Sequence, residues 1–394
     1  MEYTFSKRIS AMKTAAVSDL LKSTSQPGMI PFAAGNPDVA AFPVDDVQKI
    51  CDKILKENPI LALQYNLTEG YLPLREMVSA YMEKKFSIGK AFDKVMITSG
   101  SQQTMDLLTK ALCDEGDVVV SESPSFVGAL NCFRSYGVTL KGVPMESDGM
   151  NMEKLEEVLK SNQKVRFIYT IPNFQNPTGY TMSLEKRKQL YALAKKYNVL
   201  ILEDNPYGDL RANCEPIPSI KSMDEDGIVI YAGSFSKILA PGIRVAFVVA
   251  PEAIFGKLAA GKQCVDVHTP IFNQMIVYEW MKNTDFEAHI EKIRGIYTRK
   301  LNLMCDCIDK ELGDFVKFVR PKGGMFAWCE LPKEVDMIDF YKKGIEKGVA
   351  VVPGTAFLVE ENETTNCFRM NFTTPSDEAI VRGMHILGEL KNAL

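Results

Sequence analysis

The 394-residue chain has only 3 histidines and 2 tryptophans, no Cys-x-x-Cys spacing, no excess of one charge and no long hydrophobic run. Each shortage excludes something. His268, His289 and His385 are scattered through helix-like or linker context and read as structural or exposed. No thiol cluster replaces them: of the nine cysteines only Cys305 and Cys307 are close together, so no metal is expected. Cys51, Cys113 and Cys329 sit in apolar segments and read as small core hydrophobes. An odd cysteine count without paired spacing fits a reducing, cytoplasmic compartment. No apolar run approaches the roughly 20 residues of a membrane helix, and residues 1–5 lack the apolar core of a signal peptide. With 46 basic against 50 acidic residues the net charge is −4, which disfavours nucleic acid and anionic membrane as partners. Repeats, low-complexity tracts and long flexible linkers are also missing. What remains is ordinary: 46% hydrophobic and 24% charged residues, in a chain long enough for two domains and a large core.

The most informative stretch is 228–244, IVIYAGSFSKILAPGIR. A β-branched run ending at Gly233 suits a buried parallel strand. Ser234, Ser236 and Lys237 follow it, then a Pro241-Gly242 turn and Arg244. In open α/β sheets side chains converge on a crevice beyond the carboxyl ends of the strands. A lysine placed there, desolvated and near another cation, becomes a nucleophilic amine. Two serines and an arginine beside it suit a phosphate.

The rest of the chain repeats this arrangement. Residues 7–22 are expected to form a helix leading to a Gly35-Asn36-Pro37 loop, where backbone can approach a ligand. Amphipathic helices are expected around 47–55 and 74–82, separated by a polar stretch at 63–70. A strand at 95–98 runs into Ser99-Gly100-Ser101-Gln102-Gln103 and a helix, an arrangement that binds phosphate through free N–H groups. The strand at 117–121 delivers Phe126, which can stack on a flat ligand, and that at 165–171 ends in Asn176-Pro177-Thr178-Gly179. The strand at 199–202 delivers Asp204 and Tyr207, and a last strand spans 245–250. Near-continuous apolar strands alternating with helices indicate a mainly parallel sheet covered on both faces. From about residue 286 the pattern changes to a long helix, a Gly323-Gly324 turn, short strands and two further helices, an α+β unit.

One ligand calls for a lysine, a buried aspartate, a phosphate cup, an asparagine, a tyrosine and a stacking aromatic together: pyridoxal phosphate. Lys237 meets its aldehyde, Asp204 holds the proton on its ring nitrogen, and Asn176 and Tyr207 reach its ring hydroxyl. Gly100, Ser101, Gln102, Ser234, Ser236 and Arg244 hold the phosphate, and Phe126 stacks on the ring. Lys237, Asp204 and Tyr207 are the catalytic candidates, Lys237 as general acid and base once the substrate has displaced it.

These motifs resemble the fold-type I aminotransferases of class I/II, and the match covers the whole chain. Tyr65 with Glu69-Gly70, SGSQQ at 99–103, QNPTG at 175–179, PKGGMF at 321–326 and FRMNF at 368–372 are similar to the subgroup containing 2-aminoadipate and kynurenine aminotransferases. The resemblance implies a large domain over 46–285 with a mainly parallel seven-stranded sheet. A smaller α+β domain would span 286–394, joined by the N-terminal segment 1–45. It further implies a homodimer in which Tyr65 reaches the neighbouring subunit's cofactor phosphate. Arg369 would bind the substrate α-carboxylate, with Asn176 and Gly35 also facing substrate. The implied reaction moves the amino group of an L-amino acid, aromatic, aliphatic or 2-aminoadipate-like, to a 2-oxo acid such as 2-oxoglutarate in a ping-pong cycle. Alternatives on the same scaffold are a C–S β-lyase, a racemase or a non-catalytic regulator. The regulator is disfavoured because no DNA-binding domain precedes the matching part. Phe126 stands where many relatives carry tyrosine. Ser18, within Val17-Ser18-Asp19, stands where relatives handling acidic side chains carry arginine, and this favours aromatic, aliphatic or sulfur-containing substrates.

Overall fold

The computed structural model describes residues 3–10, 28–212, 214–360 and 363–391; Val17, Ser18 and Asp19 lie outside the described residues, as does most of the helix expected at 7–22. Its centre is a sheet of eight strands: β1 (Asp93–Thr98), β2 (Val118–Ser123), β3 (Thr139–Glu146), β4 (Gly149–Met150), β5 (Val165–Thr170), β6 (Leu200–Asn205), β7 (Val229–Ser234) and β8 (Ala246–Pro251). Their order is β1-β8-β7-β6-β5-β2-β3-β4. From β3 through β2, β5 and β6 to β7 every pairing is parallel, and β8 runs antiparallel to both β7 and β1. The eighth strand is the two-residue β4, which returns along β3 as a hairpin; the other seven are the sheet expected from the resemblance. Sequence reading located six strands and passed over β3. Its sequence TLKGVPME mixes Lys141, Gly142 and Pro144 with apolar residues and is only partly buried, because β4 alone lies outside it.

Topology decides where the chemistry goes. Because β1, β2, β3, β5, β6 and β7 point the same way, their carboxyl ends share one edge. The antiparallel β8 begins at that edge, just after Arg244. Ser234 of β7 and Thr98 of β1 both pair with Ala246, bringing Ser99, Gly100, Ser234 and Arg244 together. Strands β7 and β8 are buried throughout, as expected for central strands covered on both faces.

The helices form where sequence periodicity places them. α1 (Val44–Glu57), α2 (Leu72–Phe86) and α3 (Ser101–Leu112) bury Ile50 and Ile54, then Leu74, Val78 and Met82, then Met105 and Leu108. α4 (Leu184–Tyr197) is capped by Ser183 Oγ, which accepts from the Lys186 N–H, and ends at Asn198 in the left-handed region with φ 52°. α5 (Glu252–Gln263) returns beneath the α3 turn, and α6 (Phe286–Cys307) opens the C-terminal part.

A second, antiparallel sheet has the order β11-β12-β10-β9, built from β9 (Lys317–Phe318), β10 (Phe326–Glu330), β11 (Val352–Pro353) and β12 (Cys367–Asn371). Arg369 sits mid-strand, opposite Trp328 and Val352. The N-terminal segment crosses this sheet: Ile30 bridges Val349, and the Asn371 N–H donates to the Phe32 carbonyl at 2.7 Å. That crossing carries Gly35 to the edge of the large sheet.

At the opposite edge, buried Lys221 ties β1 to β7 through Asp93 (2.7 Å), Asp224 (2.9 Å) and the Val229 carbonyl (2.8 Å). Replacing it with methionine strands two carboxylates that are 2% and 0% exposed. Lys221→Met is expected to cost about 3–5 kcal/mol, read from guanidinium denaturation; a loss below about 1 kcal/mol would contradict the assignment.

Candidate active site

At the carboxyl edge of the large sheet lies a cavity of about 380 Å³. Its lining brings together Gly35, Ser101, Gln102, Phe126, Asn176, Asp204, Tyr207, Ser234, Ser236, Lys237, Arg244 and Arg369. These come from seven separate stretches of chain, so convergence rather than any single motif defines the site. A larger depression of about 730 Å³ lies behind the 173–180 segment and contains none of them.

Three ionisable groups face the cavity, Asp204 and Arg369 buried and Lys237 half-buried, and none forms an ion pair among the described residues. The Lys237 amine donates to the Gly35 carbonyl at 2.9 Å. Burial, reinforced by Arg369 and Arg244, lowers its pKa to about 8. Asp204, 2% exposed, accepts from the Tyr169 hydroxyl at 2.9 Å through Oδ2, while Oδ1 has no partner. Burial raises its pKa to about 7. Arg369, 8% exposed, donates to Asn176 Oδ1 and to the Ala33 carbonyl, both at 2.9 Å, and leaves Nε unpaired. Its guanidinium lies 4.2 Å from the Phe326 ring centre and 5.0 Å from that of Phe357. Among the described residues no carboxylate pairs with it, and burial lowers its pKa to about 10. Buried charge without a partner is costly, so each of these groups is suited to an external one. The unpartnered Asp204 oxygen on the cavity wall fits the protonated ring nitrogen of pyridoxal phosphate, and the depressed Lys237 fits its aldehyde.

The turn at 99–103 and the stretch at 234–244 form a cup. Gly100, with φ 84°, precedes α3 without a side-chain cap, so first-turn N–H groups are available to an anion. A side chain at Gly100 would collide with the Arg244 guanidinium. Arg244 itself sits at φ 54° and donates to the carbonyls of Ser99 (3.2 Å) and Pro241 (3.3 Å). Ser234 Oγ accepts the Ser236 N–H at 3.1 Å. This geometry fits a phosphate group.

Tyr65 is the one expected site residue far from its own chain's cavity. It is 79% exposed and meets the edge of His268 at 5.8 Å between ring centres. Conversely, sequence reading missed Tyr169, which holds Asp204, and Glu122. The latter is fully buried, accepting from Thr170 (2.5 Å), the Ile171 N–H (3.2 Å) and Gln175 (3.1 Å). Gln175 also reaches the Pro124 carbonyl at 2.9 Å and thereby ties the loop carrying Asn176 to the one carrying Phe126. An acid closing an apolar strand, as in VVVSES, is the same signal that revealed Asp204 in LILEDN.

Because the fold disfavours the Lys237 ammonium, its contribution costs stability below pH 8, and that cost fades as pH rises from about 8 to 10.5. In the full chain freed of cofactor, amine labelling of Lys237 followed by peptide mapping should be half-maximal near pH 8. A midpoint near 10.5, shared with surface lysines, would contradict the site.

Comparison with known proteins agrees with this geometry. Residues 22–386 match the sequence profile of aminotransferase class I and II. Aromatic-amino-acid aminotransferase 1 of Thermococcus litoralis is 39% identical over 98% of this chain and 93% of that protein. The 2-aminoadipate transaminase of Thermus thermophilus is 38% identical over 99% and 97%. The crystal structure of Pyrococcus horikoshii kynurenine aminotransferase, complexed with the amino form of the cofactor, superposes with a TM-score of 0.95 at 37% identity, covering 99% of this chain and 97% of that one. Cavity and kinship lead to one conclusion: the chain belongs to the class I and II aminotransferases and is a pyridoxal-phosphate-dependent enzyme transferring amino groups between amino acids and 2-oxo acids.

Proposed function

We propose that this aminotransferase takes an aromatic or aliphatic L-amino acid as donor and 2-oxoglutarate as acceptor, in a ping-pong cycle. The observation that carries the reading is the charge inventory of the cavity. Among the described lining residues the cations are Lys237, Arg244 and Arg369, and the remaining wall is largely apolar: Met105, Phe126, Val127, Ile171, Val352, Ala356 and Phe357. With Arg244 on the cofactor phosphate and Arg369 on the α-carboxylate, no described cation is left for an acidic donor side chain. Apolar walls reward an apolar donor by about 0.8 kcal/mol per methylene buried. The name of the Thermococcus relative agrees with an aromatic donor. That of the Thermus relative favours a second reading, a 2-aminoadipate-like donor.

The roles we assign follow from the geometry. Bound pyridoxal phosphate supplies an electron sink for the bond broken at the substrate α-carbon. Arg369 binds the α-carboxylate as a fork held rigid between Phe326 and Phe357, with Asn176 beside it. With the cofactor bound, Lys237, whose amine gives up its proton near pH 8, would take the proton from the α-carbon and return it one position away. Asp204 keeps the ring nitrogen protonated, and the Tyr169 hydrogen bond keeps Asp204 in place. Phe126 stacks on the ring, while Asn176 and Tyr207 orient its hydroxyl. Gly100, Ser101, Gln102, Ser234, Ser236 and Arg244 receive the phosphate, and Gly35 closes the substrate side.

We assign the functional unit as a homodimer. Tyr65 lies among exposed apolar side chains, of which Ile60 is 76%, Leu63 77% and Leu67 55% exposed, a patch suited to burial against a second copy. Tyr65 would then meet the other copy's phosphate. A cytoplasmic setting is proposed from nine cysteines that are all free, and domain limits at 45/46 and 285/286 from the change of sheet. Among the described residues no helix is long and apolar enough to cross a membrane.

The test is a visible absorption titration of the holoenzyme with single amino acids. Aromatic and long aliphatic donors should convert the bound cofactor to its amino form, and 2-oxoglutarate should reverse this. Fastest conversion by 2-aminoadipate would replace the donor reading with the second one. Release of pyruvate or ammonia without conversion would favour a lyase and sink both. Arg369→Ala should lower kcat/KM by roughly 10²–10³-fold for every donor; a loss confined to acidic donors would assign Arg369 to the side chain instead.

A further inference from the structure

Beneath the 99–103 turn lies a charged network, built on a buried lysine, that no step of the reaction uses. Lys262, at the end of α5, is fully buried. Its ammonium donates to Gln103 Oε1 (2.6 Å), Asp266 Oδ1 and Oδ2 (both 2.9 Å) and Thr269 Oγ1 (3.1 Å). Asp266 Oδ2 also accepts from Ser99 Oγ and Gln103 Nε2, both at 2.8 Å. Gln103 Oε1 takes the Ser99 backbone N–H at 2.9 Å as well, and Ser99 Oγ lies 3.0 Å from Thr269 Oγ1. Ser99 and Gln103 bracket Gly100-Ser101-Gln102, so both ends of the turn are bound to one ion pair.

The opposite side of the same turn is the cup. The Ser99 carbonyl receives Arg244 Nη2, and Gly100 packs against that guanidinium. The turn is thus clamped between an ion pair below, its lysine buried and its aspartate partly exposed, and the Arg244 guanidinium above. An unbranched apolar side chain such as methionine would fill the space of Lys262 without the desolvation cost of a buried ammonium. What the lysine adds is direction: three protons shared among four acceptor atoms on Gln103, Asp266 and Thr269.

We propose that Lys262 and Asp266 are positioning residues that fix the 99–103 turn in the shape that receives the cofactor phosphate, without touching the phosphate themselves. This rests on reading that turn as the phosphate site. The same segment supports Tyr65 through His268, so it braces two of the groups assigned to phosphate.

The experiment separates the phosphate from the ring. Full-length wild type, Lys262→Met and Asp266→Asn are freed of cofactor and titrated with pyridoxal 5′-phosphate and, separately, with pyridoxal. Binding is read from the absorbance of the bound cofactor, and thermal unfolding checks the fold. The expected result is that each variant binds pyridoxal 5′-phosphate about 10- to 100-fold more weakly, the size typical of groups that orient a ligand's direct partners. Binding of pyridoxal should stay within about twofold of wild type. Loss of affinity for both ligands by one factor, or for neither, overturns the proposal. If Lys262→Met does not fold, Asp266→Asn decides alone by the same criterion. Wild type binding pyridoxal as tightly as its phosphate would overturn the phosphate reading itself, a failure distinct from that of Lys262.

Discussion

Everything in this site depends on burying charge that the protein does not itself neutralise. Asp204, Lys237 and Arg369 occupy one cavity, and none is ion-paired with a side chain among the described residues. Burial pushes the aspartate up to about 7 and the lysine down to about 8, so each is held near the point where its proton is mobile at neutral pH. In the roles proposed for them, the cost of leaving them unpaired would be met by ligands: a ring nitrogen, an aldehyde and an α-carboxylate. Two buried cations elsewhere, Lys221 and Arg187, are by contrast fully hydrogen-bonded within the chain. Lys221 has two carboxylates and a carbonyl, and Arg187 donates to the carbonyls of Pro172, Met182, Ile217 and Pro218 and to Asn173. That contrast distinguishes these two structural cations from Lys237 and Arg369 of the cavity.

Holding three such groups together requires a stiff frame, and the sheet provides it. One edge collects six parallel carboxyl ends and the start of β8, and the pairing of Ala246 with both Ser234 and Thr98 sets the spacing of the cup. The smaller sheet supplies Arg369 from mid-strand, where its rotation is limited by Phe326 and Phe357. Gly35 arrives on a segment hydrogen-bonded across that second sheet. Bringing Arg369 and Lys237 together is therefore a matter of how the two sheets are joined, not of local sequence.

Much of this was legible in the chain. Asp204 closes an apolar strand and Lys237 and Asn176 follow one within a few residues, and chemistry-bearing residues in such positions stand out against the alternation of strands and helices. Arg369 was legible only through the FRMNF resemblance, because nothing local distinguishes it from another strand arginine. Strand β3 escaped notice since its polar and Pro/Gly content reflects an edge covered by two residues. Lys262 escaped because GKLAAGKQ reads as an ordinary helix end with a solvated lysine. Its burial is created by Gln103, 159 residues earlier in the chain. Glu122 was hidden likewise, its partners Thr170 and Gln175 lying on the next strand and loop. Residues that touch ligands are advertised by where they sit along an element. Those that hold them in place are visible only in three dimensions.

The account turns on Asp204 Oδ1 being left for the ring nitrogen of the cofactor. The most direct measurement is the ¹⁵N chemical shift of the ring nitrogen in holoenzyme carrying labelled pyridoxal phosphate, in wild type and in Asp204→Asn. The account predicts a protonated nitrogen in wild type across neutral pH and its loss in Asp204→Asn, with the cofactor still bound. The same shift in both proteins would mean that Asp204 does not hold that proton, and the central claim would fall.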